Sequence, residues 1–262
     1  MVVPAWNEAA RIRECLDQLH RCLAHRRPEI IVVDDGSTDG TAQAAADWLE
    51  GHPHCDAHVV SIPHRGKGRA VYAGVLRSRG DCVAYIDADL DIPAGEIDRL
   101  VRWCGRAGAD VVVGSKRLLT WRELPRPALR RAASVTFSWL VGVLFRLPVR
   151  DTQTGVKLFP GPWLRTVARH ARVPGFLFDV ELLAVAAAEG LTVAEVPVVV
   201  VMRRAASRIG IRDGVRCLAE LLQVAVSVRH IRRALHLERP ARARGHRQAG
   251  RRAVLSHGAP GG

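Results

Sequence analysis

Lysine is nearly missing from this chain. Of its 39 basic residues, 36 are arginine, and only Lys67, Lys116 and Lys157 are lysines. Each falls in a motif discussed below, where a compact point charge differs from a guanidinium fork. Closely spaced cysteines are also absent. Cys15, Cys22, Cys55, Cys82, Cys104 and Cys217 include no Cys-x-x-Cys pair, which argues against a zinc ribbon or disulfide framework and fits a reducing compartment. No internal repeat is visible, and the apolar stretch Ala132 to Leu147 falls short of the roughly 17–25 residues of a spanning helix. The opening Met1-Val2-Val3-Pro4 has no secretory leader and runs straight into what reads as the end of a strand, so a few strand residues are expected upstream.

What is present bounds the architecture. With 262 residues and 48% hydrophobic content, one sizeable core is expected, as a single catalytic domain with appendages. The net charge of +13 suggests nucleic acid, a membrane surface or a phosphorylated substrate. From Arg229 to Arg252 there are nine arginines and one acid, Glu238, giving +8 and leaving +5 for everything else. That tail lacks the interleaved aromatics that stack on bases, so no nucleic-acid partner is expected.

Strands alternate with helices along the first half. Val2-Val3-Pro4 precedes an amphipathic stretch from Ile12 to Ala24, and Glu29 to Val33 ends at Asp34-Asp35-Gly36-Ser37-Thr38-Asp39-Gly40 before a helix from Thr41 to Leu49. Ala57 to Ile62 leads through Gly66-Lys67-Gly68 to a helix over Val71 to Arg77. Cys82 to Ile86, a helix from Gly95 to Arg106 and Val111 to Val113 follow. Continuous apolar strands of this kind mean an α/β fold, a mostly parallel sheet with helices on both faces, whose ligand lies beyond the carboxyl ends of the strands. Asp35, Lys67, Asp89 and Lys116 all stand at such ends. Ala132 to Leu147 is read as a buried or interfacial helix. Phe176-Leu177-Phe178 opens an alanine-rich helix running to Glu189, and Val193 to Val201 is a strand whose Pro197 places it at an edge or bulge. In the helix from Asp213 to about Leu235, Val215, Leu218, Leu222, Ala225 and Val226 form one face, opposite Arg216, Glu220, Gln223 and Ser227.

The chemistry centres on Asp87-Ala88-Asp89-Leu90-Asp91. Alternation puts Asp87 and Asp89 on one side of the chain where a buried strand meets its loop. Like charges there repel unless a cation neutralises them, and carboxylates two residues apart suit Mg²⁺ or Mn²⁺, which keep open positions for phosphate oxygens. A solvated acidic turn is the plain alternative.

In order, Pro4-x-x-Asn7-Glu8, Asp34-Asp35-Gly36-Ser37-x-Asp39-Gly40-Thr41, Gly66-Lys67-Gly68-x-Ala70 and Asp87-x-Asp89-Leu90 resemble the family 2 glycosyltransferases of GT-A fold. Within them, Arg150-Asp151-Thr152-Gln153-Thr154-Gly155-Val156-Lys157-Leu158-Phe159 and Phe178-Asp179-Val180-Glu181-Leu182-Leu183 are similar to the dolichyl-phosphate β-glucosyltransferases. The mannose synthases acting on the same lipid phosphate are further off. The resemblance covers roughly residues 2–235.

That resemblance implies a nucleotide-sugar donor held by Pro4, Trp6, Glu8 and Asp35, with Trp6 replacing the usual Tyr. It implies a metal on Asp89 and Asp91, donor contacts from Asp87 and Ala88, and Lys67 and Arg208 near the phosphates. Many relatives carry Gln at the position of Asp91. Lys116, Arg130 and Ser134 would hold the phosphate of a polyprenyl-phosphate acceptor. The relatives' Gly-x-Ser-Lys loop is here Ala205-Ala206-Ser207-Arg208, keeping the charge and losing the glycine. Asp151 and Asp179 either orient acceptor or sugar, alongside Asp89 in catalysis, or are a loop cap and a helix N-cap. The expected reaction is inverting hexose transfer, with UDP-glucose favoured and GDP-mannose or a saccharide acceptor as alternatives. The expected division is a catalytic domain over 1–210, in which 122–150 faces acceptor or membrane, an amphipathic helix over 211–237 and a disordered basic tail over 238–262. The apolar helix, the amphipathic helix and the arginines would hold it peripherally on the cytoplasmic leaflet.

Overall fold

The structure, a computed structural model, describes residues 1–116, 128–201 and 213–238. The side chains of residues 107, 128–135, 138 and 213–219 are not among those described. Seven strands form one sheet: β1 (Val2–Ala5), β2 (Ile30–Asp35), β3 (Ala57–Ile62), β4 (Cys82–Ile86), β5 (Val111–Ser115), β6 (Val156–Pro160) and β7 (Val193–Pro197), in the order β3-β2-β1-β4-β6-β5-β7. All neighbours are parallel except those of β6, which runs against both β4 and β5.

Both faces of the sheet are covered, and the period of two decides which residue goes where. Val2, Ile31, Val33, Val83, Tyr85, Val111 and Val113 point to one side, where α3 (Lys67–Arg77), α6 (Gly161–His170), α7 (Phe178–Ala188) and α8 (Asp213–Glu238) close the core. Val3, Ile30, Val32, Ala84, Ile86 and Val112 point to the other, against α1 (Ala9–Leu23), α2 (Thr41–Glu50) and α4 (Gly95–Ala107). The remaining helix, α5 (Ala128–Phe145), adds Val141 to the first core. Every residue of α7 from Phe178 to Ala186 is buried, as expected of a helix apolar nearly all round.

Several sequence expectations change. Helix α3 starts at Lys67 instead of Val71, because Gly66 at φ 100° turns the chain directly into it. Residues 156–160 form a strand and 161–170 a helix, neither anticipated. The last strand stops at Pro197, at the sheet edge as expected. Helix α8 buries Leu221, Val224, Ser227, Ile231 and Leu235, leaving Leu222 and Val226 exposed, so its core face is rotated from the one read in sequence. The rotation has a polar cause: Ser227 turns inward to donate a hydrogen bond to the buried Glu181.

Candidate active site

The loops after β1 and β2 are fastened to each other. Asn7, at φ 53°, donates its N–H to Ser37 Oγ (2.9 Å), and its Oδ1 accepts from the Thr38 N–H (2.9 Å). The Glu8 N–H donates to Thr41 Oγ1 (2.8 Å) and that of Ala9 to Asp39 (3.0 Å). These bonds use orphan donors at the start of α1, and they fix Trp6 and Glu8 beside the end of β2. Pro4 lies within β1, opposite Val33.

Asp35 is buried at the end of β2 and organises the next loop. Its carboxylate accepts the N–H groups of Arg65 and Gly66, each at 2.9 Å, and pairs with His64 Nδ1 at 2.9 Å. The His64 ring in turn stacks on Trp6, centroids 4.6 Å apart, giving a half-exposed aromatic platform. Both glycines of Gly66-Lys67-Gly68 are required by close approach. A Cβ on Gly66 would stand 2.8 Å from Pro174 O, and one on Gly68 would stand 2.7 Å from Val173 O and Phe178 Cβ.

The acidic turn follows β4. Leu90, between Asp89 and Asp91, is buried with φ 61°, a costly conformation for a leucine that the surrounding packing must impose. Asp89 accepts the N–H of Asp91 at 3.1 Å. Burial, then repulsion from Asp87, pushes its carboxyl up to about 6. Asp87 is clamped: Lys67 Nζ lies 2.5 Å from its Oδ1, and a Cβ on Gly155 would overlap its Oδ2. Burial alone would lower the Lys67 ammonium, but the Asp87, Asp179 and Asp89 carboxylates raise it.

These residues fit a hard divalent cation of the kind that takes one or two carboxylates and completes its shell with substrate phosphate. Asp89 supplies a carboxylate crowded by like charge, which such a cation would relieve, and Asp91 a second two residues on. Among the described residues no three His, Cys, Asp or Glu side chains form a ready-made cage.

The loop entering β6 comes back to the same edge. Asp151 is buried and caps this loop: it accepts the N–H groups of Gln153 and Thr154 (both 3.2 Å), the Thr154 hydroxyl (2.6 Å) and the Lys116 N–H (3.2 Å). Glu195 on β7 takes the N–H groups of Arg150 and Asp151 at 2.9 and 3.0 Å. Asp179 sits deeper, at the start of α7, paired with Lys157 (2.7 Å) and accepting the Tyr85 hydroxyl. Lys157 is fully buried, donates to Thr154 O at 2.8 Å and lies 5.6 Å from the Tyr85 ring centre. Two residues on, Glu181 accepts from Tyr72 of α3, Ser227 of α8 and the Arg172 N–H (3.1 Å).

The family profile described as glycosyl transferase family 2 matches residues 1–156. The chain belongs to that family. Among curated relatives of this family 2 chain, the dolichyl-phosphate beta-glucosyltransferase of Trichomonas vaginalis is 35% identical over 75% of this chain and 62% of its own length. That of Dictyostelium discoideum is 31% identical over 76% and 64%, and that of Homo sapiens 29% over 76% and 65%. The chain thus spans less than two thirds of these relatives. Among solved structures, glucosyl-3-phosphoglycerate synthase of Mycobacterium tuberculosis, crystallised with Mn²⁺, UDP-glucose and phosphoglyceric acid, superposes with a TM-score of 0.61 at 22% identity, over 87% of this chain and 77% of the other. That likeness carries the fold, the GT-A arrangement expected from the sequence.

In this family 2 chain the fold gathers Trp6, Glu8, Asp35, Lys67, Asp87, Ala88, Asp89, Asp91, Lys116 and Asp151 at one edge of the sheet, beyond β1, β2, β4 and β5. Asp179 stands behind that edge, near enough to raise the Lys67 ammonium. That carboxylate pairs with Lys157 and Tyr85 and lies two residues past the helix N-cap, Leu177, so it is not the N-cap expected, whereas Asp151 caps its loop through backbone N–H groups. Arg208, with Arg203 and Arg204, and the tail over 239–262 lie outside the described residues, as do the side chains of Arg130 and Ser134. Sequence reasoning missed His64 and Gly155. His64 had no motif, whereas Gly155 was written in one and its close approach to Asp87 is a tertiary fact.

Proposed function

We propose that this chain transfers a hexose, with UDP-glucose the favoured donor, to the phosphate of a polyprenyl lipid, inverting the anomeric centre. The observation that carries the reading is the half-buried, charge-crowded Asp89 beside Asp91 and the Asp87–Lys67 pair, at the strand end where the family's donor site lies. The curated relatives, named for glucosyl transfer involving dolichyl phosphate, support the donor sugar and acceptor.

A phosphate monoester has its second pKa near 6, so the acceptor is already largely a dianionic nucleophile at neutral pH and needs no strong base. That agrees with Asp151 and Asp179 being occupied elsewhere. The departing diphosphate is the heavier burden. A Mg²⁺ or Mn²⁺ ion held by Asp89 and Asp91 would supply Lewis-acid stabilisation of that charge. Lys67 would add a positive charge there, the Trp6–His64 pair would stack on the base, and Glu8 would contact the ribose side.

A lipid acceptor requires the site to lie at a bilayer, and we assign attachment to α5 and α8 on the cytoplasmic leaflet. No helix among the described residues is long and apolar enough to cross a membrane. Yet α5 exposes Trp139, Leu140, Val143 and Leu144 on one stripe, Trp139 at 66%, which suits insertion of a helix face into the headgroup boundary. Phe176 stands exposed on the loop that packs onto Gly66 and Gly68.

The test is an assay of the purified chain with polyprenyl phosphate and radiolabelled UDP-glucose, GDP-mannose and other UDP-hexoses, with and without Mn²⁺. Label should pass from UDP-glucose to lipid in a cation-dependent way. Transfer to a free saccharide without lipid phosphate, or transfer untouched by chelation, overturns the reading.

A further inference from the structure

We propose that Lys67 is an internal counter-ion of the acidic turn, so that a divalent cation binds weakly until the donor's diphosphate draws the ammonium away from Asp87. The inference rests on the reading of Asp89 and Asp91 as cation ligands. It goes beyond that reading by assigning an order of binding and the residue that imposes it.

Lys67 does not reach into solvent. Its side chain is only 17% exposed, its Nζ is 2.5 Å from Asp87 Oδ1, and the Phe178 ring centre lies 5.8 Å from the ammonium. The far side of Asp87 is closed by the backbone at Gly155, where a Cβ would overlap Oδ2. Asp87 is therefore held between backbone and cation, and it cannot swing toward Asp89 and Asp91 without breaking the ion pair.

The backbone that carries Lys67 is equally fixed. The Gly66 N–H is bound by Asp35 at 2.9 Å, and the Gly68 N–H by Pro174 O at 2.8 Å. The side-chain torsions of Lys67 are what remains free to move. Without ligand, a full positive charge thus sits within the acidic turn, and a divalent ion entering there meets repulsion across a few ångströms. Near a protein surface, charges at that separation interact strongly enough to change a binding constant tenfold or more.

A diphosphate reverses this balance. It offers the ammonium more negative charge and more acceptor oxygens than one carboxylate, so Lys67 gains by turning to it. Cation and ammonium then share one polyanion instead of competing for one turn, and cation and donor bind together.

The experiment titrates Mn²⁺ alone into the full chain, following the electron paramagnetic resonance of free Mn²⁺, for wild type, Lys67→Met, Lys67→Gln and Lys67→Arg. Circular dichroism checks that each is folded, and Lys67→Gln carries the test if the Met variant is not. The neutral variants should bind Mn²⁺ roughly tenfold or more tightly than wild type, while Lys67→Arg stays near wild type. Added UDP should then tighten Mn²⁺ binding more in wild type than in the neutral variants. Wild type binding Mn²⁺ alone as tightly as the neutral variants, or Lys67→Arg matching them, overturns the counter-ion role and leaves the cation site standing. If no variant binds Mn²⁺ with or without UDP, the cation site itself is wrong and both readings fall.

Discussion

Lys157 and Asp179 form an ion pair sealed inside the core, Nζ to Oδ1 2.7 Å, with neither side chain reached by water. The pair joins the start of β6 to the first turn of α7. Burial pulls the ammonium down from its ordinary range, and the Asp179 carboxylate only partly restores it. Removing one partner leaves the other charge buried alone. Lys157→Met should cost about 3–5 kcal/mol of unfolding free energy in urea, and Lys157→Met with Asp179→Asn should recover much of it. Equal loss in the single and double variants would mean that packing, not charge, is what Lys157 supplies.

Gly155 sets the position of Asp87. Gly155→Ala should displace that carboxylate and its Lys67 partner, cutting sugar transfer at least about tenfold while costing about 1–3 kcal/mol of stability by overpacking. Gly142 in α5 is the contrast, since a Cβ there meets nothing within 4 Å. Gly142→Ala should leave transfer intact and stabilise by up to about 1 kcal/mol. Melting curves and initial rates on the same preparations separate the two effects.

The order of elements and the acidic turn were legible in sequence because both depend on local pattern: apolar runs of five or six residues, then Asp, Gly and Ser. What sequence could not show is pairing at a distance. Residues 156–160 carry a lysine in mid-run, so they read as a motif fragment; Lys157 is tolerated in a central strand only because α7, twenty residues on, delivers Asp179. The same holds for α8, where the register that exposes Leu222 and buries Ser227 is chosen by Glu181. Asp151 and Asp179 were legible as motif residues, but their partners, backbone N–H groups for the one and Lys157 with Tyr85 for the other, were not.

Asp98 gives the pH dependence a sign. Burial would raise its carboxyl, but hydrogen bonding to Arg26, with charge from Arg26, Arg102 and His25, holds it below the ordinary value. A depressed carboxyl contributes stability at neutral pH that is lost as pH falls through its folded value. Asp98→Asn should therefore be less stable than wild type by about 1 kcal/mol at pH 7, the partners being partly exposed. That gap should close as the pH is taken below the ordinary carboxylate range. A gap that persists in acid would point to lost packing between α1 and α4.

Cation loading should be decisive for turnover. Asp89→Asn keeps the shape of the turn while removing the charge, and should lower transfer by about 100-fold or more. Chelation of wild type should match it. A variant that keeps wild-type rates refutes Asp89 as a ligand.

The exposed stripe of α5 should matter for lipid and not for folding. Trp139→Ser with Val143→Ser should weaken sedimentation with anionic vesicles by roughly tenfold or more, from the apolar burial lost. The melting temperature should hardly change, since both residues are exposed. Unchanged vesicle binding would move the contact elsewhere.

The one reversed strand has a consequence for how such a chain diversifies. β5 leaves the sheet at the active-site edge after Ser115, and β6 re-enters at that edge with Val156. The chain between them, α5 included, thus leaves from and returns to the edge that carries the acidic turn while the strands on either side stay in register. A segment attached in this way can change without shifting the register of the strands it joins.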